Sequence, residues 1–263
     1  MNSPPANALV TGQRILVSAA AAGIGRAIAE TLHRHGARVH ACDVDEAACA
    51  AFRAANPDIS MARCDVADAD QALEWVEDGI ARLDGLDGLV NNAGIGGPTG
   101  RIEDLDPADW KRTIDVDLNG MFYVTRGAVP ALRESRDGSV VNLSSLAGKF
   151  GFAGRTPYAA AKWAVVGFTK SLARELGNAG VRVNAIQPGN VEGPRIDRVI
   201  AAKAELRGES PEALRERVCE TISLGRFVTA QDIADTALFL MSPLARNVSG
   251  QIIAVDGDTQ MLL

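Results

Sequence analysis

The sequence predicts a doubly wound α/β domain, with a mostly parallel seven-stranded sheet and helices on both faces. Two observations carry this prediction. Short apolar runs alternate with longer stretches of helical periodicity along most of the chain, which is typical of βαβ units. The chain is also 47% hydrophobic with 26 glycines, so it holds enough apolar material for a large buried core. Because no linker, composition shift or internal repeat interrupts the pattern, we expect a single domain over residues 1–263.

The elements follow from these runs in chain order. The predicted strands are Arg14–Ala19, Arg38–Cys42, Ile59–Cys64, Gly88–Asn91, Ser139–Ser144, Val181–Gln187 and Gly250–Val255. The predicted helices are Gly25–His35, Glu46–Ala55, Ala69–Arg82, Ala108–Leu132 and Pro157–Gly177. The segment 192–224 departs from this alternation because it is polar and charged with weak helical periodicity. We expect it to form a substrate lid over the mouth of the sheet.

Composition and charge narrow the classes of function. A net charge of -6 disfavours binding to nucleic-acid phosphates or to anionic membranes, so a small-molecule substrate is the expected partner. No segment has the roughly 18 uninterrupted apolar residues of a membrane span, and no secretory leader is recognisable at the N-terminus. The four cysteines form no CxxC pair and no metal-binding pattern with the histidines. We therefore expect a cytoplasmic protein without a structural metal.

A glycine-rich turn follows the first predicted strand. The segment from Ser18 to Gly25 contains Gly23 and Gly25 and leads directly into a predicted helix. Such a turn lets backbone N–H groups approach a pyrophosphate at the positive end of the helix, although an ordinary strand-to-helix turn fits two glycines equally well. Asp43 ends the second strand, where an acidic residue accepts hydrogen bonds from an adenosine ribose, which favours the nucleotide interpretation. A turn-forming aspartate is the alternative for Asp43.

Tyr158 and Lys162 are one helical turn apart on the same predicted face. A lysine ammonium stabilises a neighbouring tyrosinate, so the pair can exchange a proton with a substrate oxygen. Ser145 ends the strand before this helix and can hold the same oxygen, whereas the side chain of Ser144 faces the other side of the strand. On its own, such a pair is usually a solvated tyrosine beside a surface lysine; the phosphate loop upstream makes the catalytic interpretation the better one.

Several motifs occur together in a fixed order. They are Gly23-Ile24-Gly25, Asp65-Val66, Asn91-Asn92-Ala93-Gly94, Ser145 with Tyr158-Ala159-Ala160-Ala161-Lys162, and Pro188-Gly189. In this combination the chain resembles the short-chain dehydrogenase/reductase family over nearly its whole length. The resemblance implies a Rossmann domain that binds NAD and an enzyme that moves a hydride between NAD and a secondary alcohol or ketone. Tyr158 would be the general acid/base, with Ser145, Lys162 and Asp117 as the other catalytic positions.

The resemblance also implies a set of cofactor contacts. The implied contacts are Ser18, Ala19, Gly23, Ile24, Gly25, Asp43, Asp65, Val66, Asn92, Ala93, Gly94, Tyr158, Lys162, Pro188, Gly189 and Val191. Asp43 should exclude the 2′-phosphate of NADP, because no arginine or lysine follows in Val44-Asp45-Glu46.

Three positions depart from the family's pattern. Ala19 stands where the phosphate loop usually has glycine, so we expect Ala19 to keep a negative φ. Asp117 replaces the family's catalytic asparagine, and Asn119, two residues later, is interpreted as a surface residue. Gly193 replaces a frequent threonine, which predicts one fewer hydroxyl contact to the cofactor.

Three basic residues fall in loops that should border the substrate. Lys149, Arg155 and Arg195 are interpreted first as solvated loop charges; if they converge over the nicotinamide, they predict an anionic substrate. His33, His35 and His40 lie far along the chain from the site and are interpreted as structural.

The two long helices carry more apolar residues than one sheet-facing stripe would need. With the family resemblance, this predicts a homotetramer that forms through these helices, with Met121, Phe122, Val129, Trp163, Val166 and Phe168 as the additional apolar residues.

Two other functions are alternatives to a dehydrogenase. An isomerase or dehydratase that uses NAD transiently is one of them. A nucleotide-sensing protein that lost the chemistry is the other, against which the intact Ser145, Tyr158 and Lys162 argue.

Overall fold

The computed structural model describes residues 8–263. Within this part of the chain, seven strands form one sheet in the order β3-β2-β1-β4-β5-β6-β7, and every strand pair is parallel. The strands are β1 Arg14–Val17, β2 Arg38–Asp43, β3 Ser60–Arg63, β4 Gly88–Asn91, β5 Ser139–Leu143, β6 Arg182–Pro188 and β7 Ile252–Val255. The predicted doubly wound α/β fold is confirmed.

Helices cover both faces of this sheet. They are α1 Gly23–Arg34, α2 Glu46–Ala55, α3 Ala69–Leu83, α4 Pro107–Ile114, α5 Gly120–Glu134, α6 Thr156–Leu176, α7 Pro194–Arg207, α8 Pro211–Glu220 and α9 Ala230–Met241. Residues of α1, α2 and α9 form the core on one face, and residues of α3, α5 and α6 form it on the other. Because both faces are covered, the central strands are buried along their length rather than on alternate residues; all of β5, for example, is buried.

The strand order changes direction between β1 and β4. The chain leaves β1 towards β2 on one side and leaves β4 towards β5 on the other. In doubly wound sheets this reversal opens a crevice at the carboxyl ends of the strands, where ligands bind. The fold therefore places its binding crevice beside the glycine-rich turn after β1.

The helix predicted over 108–132 is interrupted. After α4, a π-helical turn spans Asp115–Asn119, in which the N–H of Gly120 donates to the carbonyl of Asp115 five residues earlier. Because α4, the π turn and α5 follow one another without a break, the sequence pattern predicted one continuous helix. Such π turns occur mostly at functional sites, and this one contains Asp117.

The segment 192–224 contains two helices, α7 and α8, although its periodicity is weak. Its apolar residues form a small separate cluster with Phe227, which includes Ile200 and Leu214. Glycine in a left-handed conformation ends α7 at Gly208, and Ser210 caps α8. The role of this segment as a lid stays a prediction.

His40 illustrates a histidine in a structural role. Its ring lies in the core, where Nδ1 is 2.7 Å from the hydroxyl of Ser60, and burial lowers the pKa of His40 to about 4. The four cysteines are free. Within residues 8–263, no helix combines the length and apolar character needed to cross a bilayer.

Candidate active site

A cleft of about 350 Å³ opens at the carboxyl end of the sheet. Its walls come from the turn between β1 and α1, the ends of β4, β5 and β6, and the first turns of α6 and α7. Many predicted site residues line it: Ala19, Gly23, Ile24, Gly25, Asn92, Gly94, Ser145, Tyr158, Lys162, Pro188, Gly189 and Val191. Others among the described residues do not line it: Ser18, Asp43, Asp65, Val66, Ala93 and Asp117.

The start of α1 forms one end of the cleft. Its N-cap, Ala22, offers no side-chain hydrogen bond, and no acidic residue lies in the first turn. The backbone N–H groups there are therefore free to bind an anion at the positive end of the helix dipole. Gly25 has no room for a side chain, because a Cβ atom would lie 2.2 Å from the carbonyl oxygen of Ala19. The turn is thus packed to expose backbone, as a phosphate cradle requires.

Ala19 contradicts the expectation of a negative φ, because its φ is +51°. The cause is a clamp on the loop: the side-chain amide of Asn92 donates to the carbonyl oxygens of Ser18 and Ala19 at 3.0 and 2.9 Å. Both carbonyls must turn towards β4 to accept these bonds. Ala19 thus adopts the left-handed conformation that glycine usually has at this position, although this conformation is sterically unfavourable for alanine.

Ser18 lies beneath the cleft. Its buried hydroxyl accepts hydrogen bonds from the N–H groups of Asn92 and Ala93 at 3.0 and 3.1 Å. Ser18 and Ala93 therefore tie the end of β1 to the end of β4. Their contribution to the cleft is to hold its two central strands in register.

Asp43 ends β2 and is bonded to the phosphate loop. Its Oδ2 accepts from the N–H of Ala21 at 3.1 Å, and its Oδ1 accepts from the N–H of Asp45 at 3.2 Å. Arg63 pairs with Asp43 in the register of β2 and β3, but its side chain is exposed and forms no ion pair with Asp43 in the described structure. The carboxylate of Asp43 thus lies beside the turn that begins α1, bonded only to backbone N–H groups in the described structure.

Asp65 and Val66 follow β3. The carboxylate of Asp65 accepts from the N–H of Ala67 at 3.0 Å and from Arg112 at 3.1 Å. Val66 is buried against Gly120, where a Cβ atom would lie 2.8 Å from the Val66 side chain. These contacts fix the loop that follows β3.

Tyr158 and Lys162 project from the first part of α6 into the cleft. The Lys162 Nζ lies 5.6 Å from the centre of the Tyr158 ring and donates to the carbonyl oxygen of Leu143 at 3.2 Å. The lysine side chain is only 4% exposed, so its ammonium acts on Tyr158 with little screening by water.

The two candidate serines have different surroundings. Ser144 is buried, and its hydroxyl donates to the carbonyl oxygen of Lys162 at 2.8 Å, which fastens β5 to α6. The Ser145 hydroxyl accepts from the N–H of Ala147 at 3.1 Å and lies in the lining of the cleft. Ser145 therefore keeps its proton available for a ligand, as the strand alternation predicts.

Asp117 is completely buried in the π turn, on the side of Lys162 away from the cleft. Its Oδ1 accepts from the N–H of Ile95 at 2.7 Å, and its Oδ2 lies 3.3 Å from the Lys162 Nζ. Asn119 points elsewhere and donates to Asp115 at 2.8 Å. The aspartate is thus the counter-ion of the lysine, an arrangement that an asparagine could not provide.

The three basic loop residues differ from one another. Arg155 is 3% exposed, so its interpretation as a solvated charge is wrong; burial lowers the pKa of its guanidinium, while Tyr158 opposes that shift. Arg195 is exposed but lines the cleft and donates to the carbonyl oxygen of Gly94 at 3.1 Å. Lys149 lies 3.7 Å from Asp256 and does not line the cleft. Arg155 and Arg195 therefore lie in the same cleft, and Lys149 does not.

Several features of the site were not predicted from the sequence. Asn92 was expected as a cofactor contact, but its amide binds the carbonyl oxygens of Ser18 and Ala19. Gly96 leaves the space that the Arg155 guanidinium occupies. Apolar lining comes from Phe152, Ile196 and Val199. Phe152 could have been predicted from its position shortly before Tyr158. Ile196 and Val199 could not, because their place in the lining depends on the path of α7.

Comparisons with known proteins agree along almost the whole chain. A family model described as enoyl-(acyl carrier protein) reductase matches residues 19–258. The chain is 36% identical over 250 residues to a 3-oxoacyl-(acyl-carrier-protein) reductase of Thermotoga maritima, covering 94% of this chain and 97% of that protein. It is 37% identical over 252 residues to a trans-4-hydroxycyclohexanecarboxylate dehydrogenase of Sinomonas cyclohexanicum, covering 92% and 90%.

A solved structure gives the same result in three dimensions. The carveol dehydrogenase from Mycobacterium avium, determined in complex with NAD, superposes with a TM-score of 0.90 at 28% identity, covering 96% of this chain and 99% of that one. Together with the motif order and the sheet topology, these similarities show that the chain belongs to the short-chain dehydrogenase/reductase family.

Proposed function

We propose that this protein is an NAD-dependent oxidoreductase that transfers a hydride between the carbinol carbon of a secondary alcohol and NAD, with Tyr158 as general acid/base. The observation that carries the proposal is the meeting of Tyr158, Lys162 and Ser145 in one cleft with the uncapped start of α1. A proton-transfer group and an anion cradle at opposite ends of one cleft suit an enzyme that holds a dinucleotide beside an alcohol.

The residues present fit the dinucleotide. The N–H groups of Gly23 to Gly25 would bind the diphosphate, and Asp43 would accept hydrogen bonds from the adenosine ribose. Lys162 would bind the nicotinamide ribose, and the backbone of Val191 the carboxamide. The NAD complex of the carveol dehydrogenase supports this assignment. When bound, NAD supplies the hydride acceptor.

The proton chemistry belongs to the chain's own side chains. During oxidation the Tyr158 oxygen removes the proton of the substrate hydroxyl while the hydride leaves the carbinol carbon; during reduction Tyr158 returns that proton. The Lys162 ammonium, held by Leu143 and Asp117, stabilises the tyrosinate that forms. Ser145 donates a hydrogen bond to the substrate oxygen and fixes its position between Tyr158 and the nicotinamide.

The proposed preference for NAD over NADP rests on Asp43. Its carboxylate would stand where the 2′-phosphate of NADP lies, and like charges held together at a binding site cost several kcal/mol. Arg63, the neighbouring base in the sheet, is solvent-exposed, so it offsets this repulsion weakly.

The proposal is tested with a panel of secondary alcohols and ketones, with NAD and NADP in parallel, followed at the absorbance of the reduced cofactor. We expect turnover with NAD and a strong preference for it. NAD binding without turnover of any alcohol or ketone would contradict the oxidoreductase assignment and favour the sensor alternative. A preference for NADP would contradict the role of Asp43.

We also propose a homotetramer that forms through α5 and α6. Phe122 and Trp163 are 48% and 50% exposed on these helices, so both large apolar side chains are available to pack against another subunit. Met121, by contrast, is buried within its own subunit and does not contribute. Sedimentation at micromolar concentration should give the mass of four chains, and Trp163→Ser should reduce it. Leu244→Ser, which changes an exposed leucine elsewhere, is the control. A monomeric wild type would contradict the proposal.

A further inference from the structure

Arg155 is a buried cation without a counter-ion. Among the residues that the structure describes, no carboxylate lies within 4.0 Å of its guanidinium, and its Nε has no hydrogen-bond partner. The remaining nitrogens bond only to neutral groups, the carbonyl oxygen of Gly96 and, at 3.4 Å, the hydroxyl of Thr99. Burying an unpaired charge is costly, so a residue of this kind usually has a partner that binds later.

The position of Arg155 is built into the fold. Its Cζ lies 5.7 Å from the ring centre of Phe152 and 5.4 Å from that of Tyr158, so the guanidinium is held between two aromatic rings. Gly96 leaves the space that the guanidinium needs, because a Cβ atom there would lie 2.8 Å from an Arg155 nitrogen. Arg155 also lines the cleft beside Tyr158. The charge is therefore presented to whatever the cleft binds.

Arg195 approaches Tyr158 as well. It enters from the first turn of α7, and its Cζ lies 5.8 Å from the Tyr158 ring centre. The charge of Arg195 disfavours the charge of Arg155, so the two guanidinium groups repel each other in the absence of an anion. Two arginines beside one tyrosine form a fork suited to a carboxylate.

The other charges around the cleft do not neutralise this pair. Asp117 is engaged by Lys162. Glu192 lines the cleft but is exposed, and in the described structure it forms no ion pair with Arg155 or Arg195. Lys203, whose Nζ lies 3.9 Å from the ring centre of Phe152, is not counted with this pair, because burial lowers its pKa to about 7. The substrate end of the cleft carries unbalanced positive charge.

The same end of the cleft is apolar between its charges. Leu146, Phe152, Ile196 and Val199 line it, and they offer no hydrogen bonds from their side chains to a polyol. A ligand that suits this lining has a compact hydrocarbon body and a single anionic group.

We infer that the substrate of the proposed reaction is a hydroxycarboxylate, or the corresponding oxocarboxylate, whose carboxylate binds between Arg155 and Arg195. The inference rests on the proposed function for the position of the reacting carbon. Both guanidinium carbons lie within 6 Å of the Tyr158 ring centre. The carboxylate is therefore only a few bonds from the carbon that loses the hydride, and one alicyclic ring is a suitable spacer.

The first experiment compares two matched alcohols with saturating NAD. The probes are 4-hydroxycyclohexanecarboxylate, in both isomers, and the neutral 4-hydroxycyclohexanecarboxamide. We expect kcat/KM to favour one isomer of the acid by about 100-fold over the amide, the range expected for a charge pair in a partly closed site. Equal kcat/KM values for acid and amide would overturn the inference while leaving the proposed function intact.

The second experiment measures binding without turnover. Calorimetry compares cyclohexanecarboxylate with cyclohexanecarboxamide, with and without NADH, and we expect the carboxylate to bind at least about 10-fold more tightly. Charge-selective binding in an enzyme that turns over no alcohol or ketone of the panel would support the carboxylate site and contradict the proposed function. Equal binding of the two, or binding of neither, would overturn the inference.

Variants assign the selectivity to the two arginines. Arg195→Gln changes an exposed residue, and we expect it to lower the preference for acid over amide about 10-fold without changing KM for NAD. Arg155→Met should lower the preference about 100-fold, and Arg155→Lys, which keeps the charge, should retain part of it and guards against a folding defect. Arg198→Gln, an exposed arginine on the same helix, is the control and should change nothing. Equal losses for acid and amide in the Arg155 and Arg195 variants would show a structural role and overturn the inference.

Discussion

At the end of β1 the cleft presents the backbone N–H groups of α1. The side chains beside them belong to alanine and isoleucine and carry no charge. Between α6 and α7 it presents Arg155, Lys162 and Arg195. In the proposed function the nucleotide half binds mainly through fixed backbone dipoles, whereas the substrate half binds through side-chain charges, of which Arg155 and Lys162 are buried and Arg195 is exposed. Backbone N–H groups are present whatever the side chain, so a backbone site accepts many substitutions. Glycine is required only where a Cβ atom would clash, as at Gly25. Buried charges depend on each neighbour, so substitutions in the substrate half should have the larger effects.

The largest effect is expected from Tyr158→Phe. Removal of the phenolic oxygen eliminates the general acid/base, which should lower kcat by about 1000-fold or more while the Kd for NAD stays nearly constant. Steady-state rates and cofactor titration measure the two quantities. Tyr123→Phe is the matched control, because Tyr123 lies on α5 outside the cleft lining. Equal losses in the two variants would show that the fall in rate comes from general damage.

Asp43→Ala tests the nucleotide half. Removal of the carboxylate should relieve its repulsion of a 2′-phosphate and narrow the NAD-to-NADP ratio of kcat/KM by about 100-fold. Asp58→Ala, an exposed aspartate in the loop before β3, should leave the ratio unchanged. If Asp43→Ala leaves the ratio unchanged too, the selectivity comes from another residue.

Asp117→Asn tests how the substrate half controls proton transfer. The substitution removes the counter-ion of Lys162, so the ammonium charge acts more fully on the tyrosinate. We expect the acid limb of the kcat/KM profile for oxidation to move to lower pH, the direction set by stronger stabilisation of the anion. Asp115→Asn, which instead disrupts a surface pair with Lys111, should leave the limb in place. A shift to higher pH would show that Lys162 loses its proton without Asp117.

The smallest effect is expected from Ala19→Gly. Relief of the left-handed strain at φ +51° should raise the free energy of unfolding by about 1 kcal/mol, equivalent to roughly 2–4 °C in Tm. Ala20→Gly, at a buried position without a positive φ, should lower Tm instead. A fall in Tm for Ala19→Gly would show that the Asn92 clamp does not strain the loop.

The same contrast explains what could be predicted from the sequence. The fold, the phosphate turn and the spacing of Tyr158 and Lys162 follow local patterns, because periodicity and glycine positions determine them. The φ of Ala19 does not, since it depends on the Asn92 amide, 73 residues away in the chain. The burial of Arg155 depends on Gly96 and on two aromatic rings, and the contact of Asp117 with Lys162 depends on a π turn. These features arise from tertiary contacts that no local pattern reports.

In the proposed function, a hydride passes between the substrate carbon and NAD in this cleft while Tyr158 accepts or donates the proton. The most direct measurement uses 4-hydroxycyclohexanecarboxylate and a panel of secondary alcohols deuterated at the carbinol carbon, with mass spectrometry of the reduced cofactor after turnover. We expect one deuterium per NADH formed with the wild type and no NADH above background with Tyr158→Phe. Reduced cofactor without deuterium, or undiminished deuterium transfer by Tyr158→Phe, would contradict the account.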